Sequence, residues 1–175
     1  MSLIAITRGV SASIDRCELT HLERQPIDVA QARKQHQEYE SLLRRLGCTV
    51  HSLPAMDEYP DSVFVEDAAV VLDEMAILLR PGAVSRRGEV DEMKTVLEPF
   101  RTLHRIEAPG RLDGGDVLVA GRTIYIGETT RSNAAAVSQV REIVALHGYD
   151  VQSVPVRSAL HLKSAATTLG ENSVL

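Results

Sequence analysis

The sequence predicts an α/β fold built from a repeated strand–strand–helix–strand unit. The first observation is apolar spacing, because three segments carry apolar residues at the intervals that place them on one face of a helix. These segments are 29–46, 90–100 and 136–147. The second observation is recurrence, since Asp67 and Asp116 lie 49 positions apart, as do Phe64 and Asp113. A fixed period of this length is typical of repeat architectures.

Local signals support each predicted element. Asp28 is a suitable N-cap for the first helix, Gly47 ends that helix and Gly148 ends the third. Asp73-Glu74 and Gly121-Arg122 are typical of the tight turns that join the two strands of a hairpin. The predicted strands are the β-rich runs 48–54, 63–72, 76–80, 102–107, 116–120, 123–127 and 150–156.

The order of the elements leaves two architectures open. One unit covers 63–107, a second covers 113–156, and a third begins at His161. Recurring β-rich units of this kind suggest a radial, propeller-like arrangement, and the other architecture is an α/β sheet of hairpins and helices without a symmetry axis. In a radial arrangement equivalent positions face the central axis, so Phe64, Asp113 and His161 would converge.

Bulk composition narrows the class of protein. A chain of 175 residues with 44% apolar residues suits a single domain, expected over 1–175. The net charge of -5 argues against nucleic acid or an anionic membrane as the main partner. No signal peptide or membrane span is recognisable. Cys17 and Cys48 form neither a disulfide framework nor a metal cluster. We therefore expect a soluble, cytoplasmic protein without a metal.

Three carboxylates lie in or beside the run that is predicted to be a buried strand. They are Asp61, Glu66 and Asp67. In a strand, Asp61 and Asp67 would face one side, and Phe64 and Glu66 the other. A buried carboxylate must be paired or hydrogen-bonded, and a planar guanidinium suits closely spaced acids. The alternative is that these acids face solvent, as most do.

Four further polar residues are candidates for chemistry. Asp113 precedes two glycines that permit a sharp turn, although an Asx turn would also explain it. His161 lies between two leucines and could be a satisfied core residue. The repeat register places it beside Asp113, which is the arrangement of a general acid–base. Arg86 and Arg131 precede predicted helices and could bind a carboxylate through forked donors, or simply form a solvated basic surface.

Taken together, five motifs resemble those of the dimethylarginine dimethylaminohydrolases, in the same order and at the same spacing. They are Asp61-Ser62-Val63-Phe64-Val65-Glu66-Asp67, Arg80-Pro81-Gly82-Ala83 with Ser85-Arg86-Arg87, Leu112-Asp113-Gly114-Gly115-Asp116-Val117, Arg131-Ser132-Asn133 and Leu160-His161-Leu162-Lys163. The resemblance covers essentially all of 1–175. It implies a five-bladed α/β propeller of ββαβ units, the pentein fold. About three blades would be present here, so the chain would be the N-terminal part of a longer protein.

The resemblance also implies an activity, the hydrolysis of asymmetric dimethylarginine or monomethylarginine to citrulline and an alkylamine without a cofactor. In that family pattern Asp67 and Asp113 hold the substrate guanidinium, Glu66 supports the pocket and Phe64 packs beside it. His161 protonates the departing amine and then activates water.

The same resemblance assigns the amino-acid end of the substrate. Asp61 would hold the α-amino group, while Arg86 and Arg131 would bind the α-carboxylate. Leu19 lies in the irregular segment 9–27, which could form a flap, and its assignment rests on no distinctive motif.

The nucleophile of this family is a cysteine near the C-terminus, and neither Cys17 nor Cys48 matches its position. We therefore predict that the 175-residue chain alone is inactive. The expected partners are a small-molecule substrate, and a second copy of the chain or a complementing C-terminal segment. The alternatives are another guanidino-modifying enzyme (an arginine deiminase or an amidinotransferase) and a non-catalytic arginine-binding fragment.

Overall fold

Three small sheets are formed by the residues that the structure describes. The computed structural model describes residues 3–19, 23–170 and 173–175. The chain forms two units, an N-terminal unit (Met1–Val65) and a C-terminal unit (Glu66–Leu175).

The N-terminal unit contains a strand–helix–strand arrangement. Strand β1 (Ile4–Arg8) pairs in parallel with β2 (Thr49–Leu53), and helix α1 (Val29–Arg45) connects them. The predicted cap is confirmed, because the Asp28 side chain accepts a hydrogen bond from the backbone N–H of Gln31.

Strand β1 was not predicted from the sequence, and the burial pattern of this strand explains why. The strand exposes Ile4 and buries the polar side chains of Thr7 and Arg8. Thr7 Oγ1 donates to Glu40 Oε1 at 2.6 Å, and Arg8 Nη1 donates to the Pro54 carbonyl oxygen at 3.0 Å. Because the buried positions are polar and satisfied by distant partners, the apolar alternation that marks a half-buried strand is absent.

The first complete repeat opens the C-terminal unit. Strands β3 (Ala69–Val71) and β4 (Met75–Leu78) form an antiparallel hairpin, and β5 (Thr102–Arg105) pairs in parallel with β4. Helix α2 (Glu89–Leu97) connects β4 to β5. The sheet order is therefore β3-β4-β5.

The second repeat has the same topology. Strands β6 (Val117–Ala120) and β7 (Thr123–Glu128) form the hairpin, and β8 (Asp150–Pro155) adds in parallel to β7. Helix α3 (Ala134–Val144) connects them and is capped by the Asn133 side chain. The two ββαβ repeats predicted from the 49-residue period are confirmed.

The two repeats share one apolar core. Strand residues alternate into it from both sheets, and the buried faces of α3 and the segments after β5 complete it. Fully buried members include Met75, Ile77, Leu79, Ile106, Leu112, Ile124, Ile126 and Val144. Burial of each large apolar side chain contributes about 1.5–3 kcal/mol before entropy is counted. This core fixes the loops at the ends of the strands, where the polar residues lie.

The strand predicted over 63–72 is largely wrong. A 3₁₀ turn (Val65–Ala68) occupies its centre, and only Ala69–Val71 is extended. The preceding residues also turn, because the Phe64 N–H donates to the Asp61 carbonyl oxygen. The assignment of the acids to alternating faces is therefore wrong as well. Apolar residues within the run suggested a strand, whereas local turns satisfy its backbone.

The region after β8 also departs from the prediction. His161 does not begin a strand but precedes a 3₁₀ turn (Leu162–Ser164). Further on, Thr168 and Val174 form an isolated antiparallel bridge, and residues 171–172 lie outside the described residues. Within the described ranges, none of the helices combines the length and apolar character needed to cross a bilayer.

Candidate functional site

Two carboxylates and one imidazole converge in the C-terminal unit. These residues, here called the acidic cradle, are Asp67, Asp113 and His161. Each offers one carboxylate oxygen or imidazole nitrogen, and these three atoms lie within 4.8 Å of one another. Asp113 is fully buried and Asp67 is 8% exposed. Each residue lies within or directly before a 3₁₀ turn. These turns are Val65–Ala68, Gly114–Asp116 and Leu162–Ser164. The predicted proximity of Asp113 and His161 is confirmed.

Two consecutive glycines allow these turns to approach one another. A Cβ atom on Gly114 would overlap the carbonyl oxygen of Glu66, and one on Gly115 would lie 2.7 Å from His161 Cδ2. The Gly115 N–H donates to Asp67 Oδ1 at 2.8 Å. The glycines are therefore required for close packing of the cradle rather than for a positive φ angle.

Asp67 is bound by an internal guanidinium. Arg86 Nη1 lies 2.6 Å from Asp67 Oδ2, and the same side chain donates through Nε and Nη2 to both oxygens of Glu89, at 3.1 and 2.9 Å. Burial by itself would lower the pKa of Arg86, but the hydrogen bonds to Glu89 and the charges of Asp67 and Glu89 raise it above its ordinary value. Arg86 is thus held as a cation between two carboxylates.

Glu89 was not predicted as a site residue. It is 4% exposed and begins α2 three positions after Arg86. That spacing across a helix start is a recognisable signal for an ion pair. The binding of a substrate carboxylate by Arg86 stays a prediction.

Asp113 retains one oxygen without a hydrogen bond to the described residues. Its Oδ1 accepts from the Gly82 N–H at 2.7 Å, whereas Oδ2 lies 3.8 Å from Arg131 Nη1. Burial raises the pKa of Asp113, the charge of Asp67 adds to this, and the Gly82 N–H opposes it. A buried acceptor of this kind is suited to a cationic ligand.

Asp116 holds the imidazole from the other side. This fully buried carboxylate accepts hydrogen bonds from Ser132 Oγ at 2.5 Å, Thr129 Oγ1 at 2.8 Å and the Leu162 N–H at 3.0 Å. Its Oδ2 lies 3.5 Å from His161 Nδ1, which is long for a hydrogen bond but close for two opposite charges. In the sequence, Asp116 stands out only as the repeat equivalent of Asp67, and its contact with His161 was not predicted.

His161 is disposed to carry a proton. Burial by itself lowers the pKa of His161, but the carboxylates of Asp116, Asp67 and Asp113 outweigh it and raise the pKa above its ordinary value. An imidazole with a raised pKa that faces a cation site can act as a general acid near neutral pH.

The cradle could in principle hold a metal ion, because it offers two carboxylates and an imidazole. Both oxygens of Asp67, however, already accept hydrogen bonds, from Gly115 and Arg86. Asp113 Oδ2 is therefore the less committed carboxylate oxygen. This donor set fits an organic cation that donates hydrogen bonds, and the expectation of no metal or cofactor stays a prediction.

Glu66 and Arg131 lie at the margin of the cradle. The Glu66 carboxylate is exposed and accepts from Lys163 Nζ at 2.6 Å, so its side chain faces a surface ion pair. The Arg131 backbone packs against Gly82, where any Cβ atom would collide with it. The roles predicted for Glu66 and Arg131 stay predictions.

The remaining predicted residues belong to the N-terminal unit. Asp61 is buried, and its two oxygens accept from the Glu18 N–H at 3.0 and 3.2 Å. Phe64 is 51% exposed and Leu19 is 39% exposed. Residues 20–22 of the predicted flap lie outside the described residues. The substrate-binding roles of Asp61, Phe64 and Leu19 stay predictions.

Comparison with known proteins identifies the family. Residues 8–175 match the family model described as N,N dimethylarginine dimethylhydrolase, eukaryotic. The N(G),N(G)-dimethylarginine dimethylaminohydrolase of Streptomyces coelicolor is 40% identical over 172 residues, covering 98% of this chain and 67% of that protein. The enzyme of the same name from Pseudomonas aeruginosa is 38% identical over 150 residues, covering 85% of this chain and 59% of the relative.

Solved structures agree with the sequence comparison. DDAH from Pseudomonas aeruginosa, a cysteine-to-serine mutant in complex with citrulline, superposes with a TM-score of 0.94 at 35% identity, covering 99% of this chain and 69% of that one. The N-terminal domain of ArgZ, a cyanobacterial arginine dihydrolase, has a TM-score of 0.77 at 19% identity, covering 87% of this chain and 58% of that one. The second likeness concerns the fold alone.

These likenesses, together with the two complete ββαβ repeats, confirm the predicted fold class, an α/β propeller of the pentein type. The chain spans 67% and 59% of the two curated relatives. The family match covers nearly the whole chain, and the motifs that carried the resemblance lie within it. The chain therefore belongs to the dimethylarginine dimethylaminohydrolase family.

Proposed function

We propose that the protein containing this chain hydrolyses Nω-methylated arginines, namely asymmetric dimethylarginine and monomethylarginine, to citrulline and an alkylamine. The observation that carries the proposal is the acidic cradle, in which the buried Asp67 and Asp113 lie within reach of His161. Such a cradle suits a guanidinium, which is planar and donates several hydrogen bonds. The names of the relatives from Streptomyces and Pseudomonas support the same substrate class.

The chemistry requires a fixed guanidinium and a proton donor. The guanidinium carbon is a poor electrophile because its charge is delocalised, so holding it between Asp67 and Asp113 orients it for attack. A cysteine thiolate forms the new carbon–sulfur bond, and the carbon–nitrogen bond to the alkylamine breaks as His161 donates its proton. His161 then takes a proton from water, whose oxygen displaces the sulfur to give citrulline.

We propose that the cysteine supplying this thiolate belongs to a part of the protein outside this chain. Cys17 and Cys48 are free and half-buried, and neither matches the position near the C-terminus that the family resemblance gives to the nucleophile. We expect the 175-residue chain to release no citrulline from dimethylarginine. The complete protein should release it in proportion to enzyme concentration. A colorimetric citrulline assay on both samples tests the proposal, and turnover by the chain alone would contradict this source of the thiolate.

Substrate choice needs a second assay on the complete protein. We expect dimethylarginine to be turned over with a higher kcat/KM than arginine. A preference for arginine, or transfer of an amidino group to an amine acceptor, would instead identify another guanidino-modifying enzyme. The cytoplasmic location and the homodimer stay predictions.

A binding function without chemistry is the second candidate. It is favoured by the completeness of the cradle within 66–175, since all three residues and the glycines that position them lie there. Calorimetry of the folded 175-residue chain with dimethylarginine tests it. Saturable heat supports ligand binding by this chain, whereas a folded sample that gives no heat rules the binding function out.

A further inference from the structure

A second polar site lies in the C-terminal unit, apart from the cradle. It is a cavity of about 290 Å³ at the ends of β4 and β5, here called the arginine cavity. Its charged lining consists of Arg80, Arg87, Arg105 and Glu107, and Leu79 and Ile106 form part of its apolar wall. Its lining includes none of the cradle residues, so it is a different site.

Two of the three guanidiniums have no ionic partner in the described part of the chain. Arg80 Nη1 donates to the Gly110 carbonyl oxygen at 3.1 Å, and Arg87 Nε donates to the Pro81 carbonyl oxygen at 3.2 Å. These bonds orient each side chain, and neither guanidinium forms an ion pair with a carboxylate of the described residues. Each guanidinium has five N–H donors, so most of them are available to a ligand.

The third guanidinium is only weakly committed. Arg105 Nη2 lies 3.0 Å from Asp91 Oδ1, and the two side chains are 44% and 71% exposed. Solvent-exposed pairs of this kind contribute little, so Arg105 can exchange partners at small cost. Glu107 is exposed and contributes a single negative charge to the lining. The cavity is therefore net positive, although the chain as a whole has a charge of -5.

We infer that the arginine cavity binds a small anionic ligand that carries a phosphate or carboxylate group. Arginine forks match both groups through paired N–H···O bonds, and Arg80 and Arg87 are already oriented by their carbonyl partners. The volume is near the lower end of small-molecule sites, so a free oxyanion or a small metabolite fits better than a macromolecule. Arg105 completes the site at its exposed side.

The loop that lines this cavity also supports the cradle. Gly82, one residue after Pro81, donates to Asp113, and Arg86, one residue before Arg87, binds Asp67. A ligand in the arginine cavity would therefore contact a segment whose other contacts are with the cradle. The Gly82 amide resonance is a suitable reporter of occupancy.

Calorimetry of the folded chain with inorganic phosphate, and separately with malonate, tests the inference at low ionic strength in chloride buffer. We expect saturable binding of at least one of them, and the two arms distinguish the phosphate from the carboxylate. Arg87→Gln should weaken binding by about tenfold or more, the scale of a lost charge-assisted hydrogen bond. Arg105→Gln should weaken it by a smaller factor. Arg157→Gln removes the same charge from an exposed residue outside the cavity and should change nothing.

Three outcomes would overturn the inference. The first is that neither anion shows saturable binding. The second is that Arg157→Gln weakens binding as much as Arg87→Gln does. The third is that Arg131→Gln abolishes binding while Arg105→Gln leaves it unchanged. The last would place the anion at the cradle margin. If Arg87→Gln fails to fold because the bond to Pro81 is lost, the affinity of the exposed variant Arg105→Gln tests the inference in its place. Hydrolysis of methylarginine plays no part in these measurements, so failure of the proposed function leaves the test intact.

Discussion

The carboxylate of Asp67 and the guanidinium of Arg86 lie 2.6 Å apart, and both side chains are almost completely buried. The acid expected to hold a substrate guanidinium is thus already bound to a guanidinium of the protein. Gly115 occupies its second oxygen. An incoming cation would share Asp67 with Arg86, whereas the buried Asp113 Oδ2 has no hydrogen-bond partner among the described residues. We infer that Arg86 orients Asp67 and that Asp113 supplies the stronger acceptor for a ligand.

Removing the charge of Asp67 should weaken ligand binding. In the complete protein, Asp67→Asn should reduce the affinity for dimethylarginine by about 1.5–3 kcal/mol, the scale of a charge-assisted hydrogen bond. Calorimetry measures it, and Asp91→Asn, which removes an exposed acid outside the cradle, is the matched control. Unchanged affinity in Asp67→Asn would show that Asp67 does not take part in binding dimethylarginine.

The proton donor can be separated from the binding groups. In the complete protein, His161→Ala should abolish release of the alkylamine and leave dimethylarginine binding largely intact, because the carboxylates that hold the cation remain. Amine release and calorimetric affinity are measured on the same preparation. Normal turnover in this variant would contradict the acid–base role of His161.

The ionisation of His161 should depend on Asp116. Because the pKa of His161 is raised in the folded chain, the protonated ring stabilises the fold at acidic pH. This contribution is complete below the ordinary pKa of histidine, about 6.5, and is lost as the pH rises through the raised value. Asp116→Asn should shift the pKa of His161 downward, as followed by NMR titration of the ring.

A control and a second readout make that test specific. Ser138 lies on the exposed side of α3, so the control variant Ser138→Ala should leave the titration of His161 unchanged. Urea unfolding should show that the wild type loses stability between acidic and alkaline pH and that His161→Gln loses less. An unaltered pKa in folded Asp116→Asn would show that Asp116 does not hold the imidazole.

Glu89 should be important for stability. Glu89→Gln removes one of the two charges that hold the buried Arg86, and we expect the free energy of unfolding to fall by roughly 1.5–3 kcal/mol. The exposed pair of Arg105 and Asp91 provides the comparison, because Asp91→Asn should have little effect. Denaturant unfolding of both variants measures the difference, and equal stability would mean that Asp67 alone satisfies Arg86.

Close packing of the cradle predicts that a larger residue at Gly114 lowers stability. Gly114→Ala would force a Cβ atom against the Glu66 carbonyl oxygen. Overpacking of this kind costs typically about 1–3 kcal/mol, so the midpoint of thermal unfolding should fall. A variant as stable as the wild type would mean that the 66–67 turn can move away.

Part of the site was predictable because its signals are periodic. A repeat interval near 49 residues predicted that Asp113 lies beside His161, 48 positions further on, and that proximity is confirmed. The strand predicted over 63–72 was wrong, since apolar residues within a 3₁₀ turn resemble those of a strand. Asp116 was not predicted as a site residue because its partners His161 and Leu162 are distant in the chain. Glu89 was missed although its spacing of three from Arg86 is a local signal for an ion pair.

The sequence by itself determined the repeat, its helices and hairpins, and the family, because apolar spacing, caps and turn residues act over a few positions. Only the tertiary structure decided which charges meet. Asp67 binds Arg86 19 positions away and Gly115 48 positions away, and Asp116 binds the Leu162 backbone across 46 positions. Such contacts depend on how the turns of two repeats pack over a shared core. The direction of a hydrogen bond between packed turns leaves no local pattern in the residues that form it.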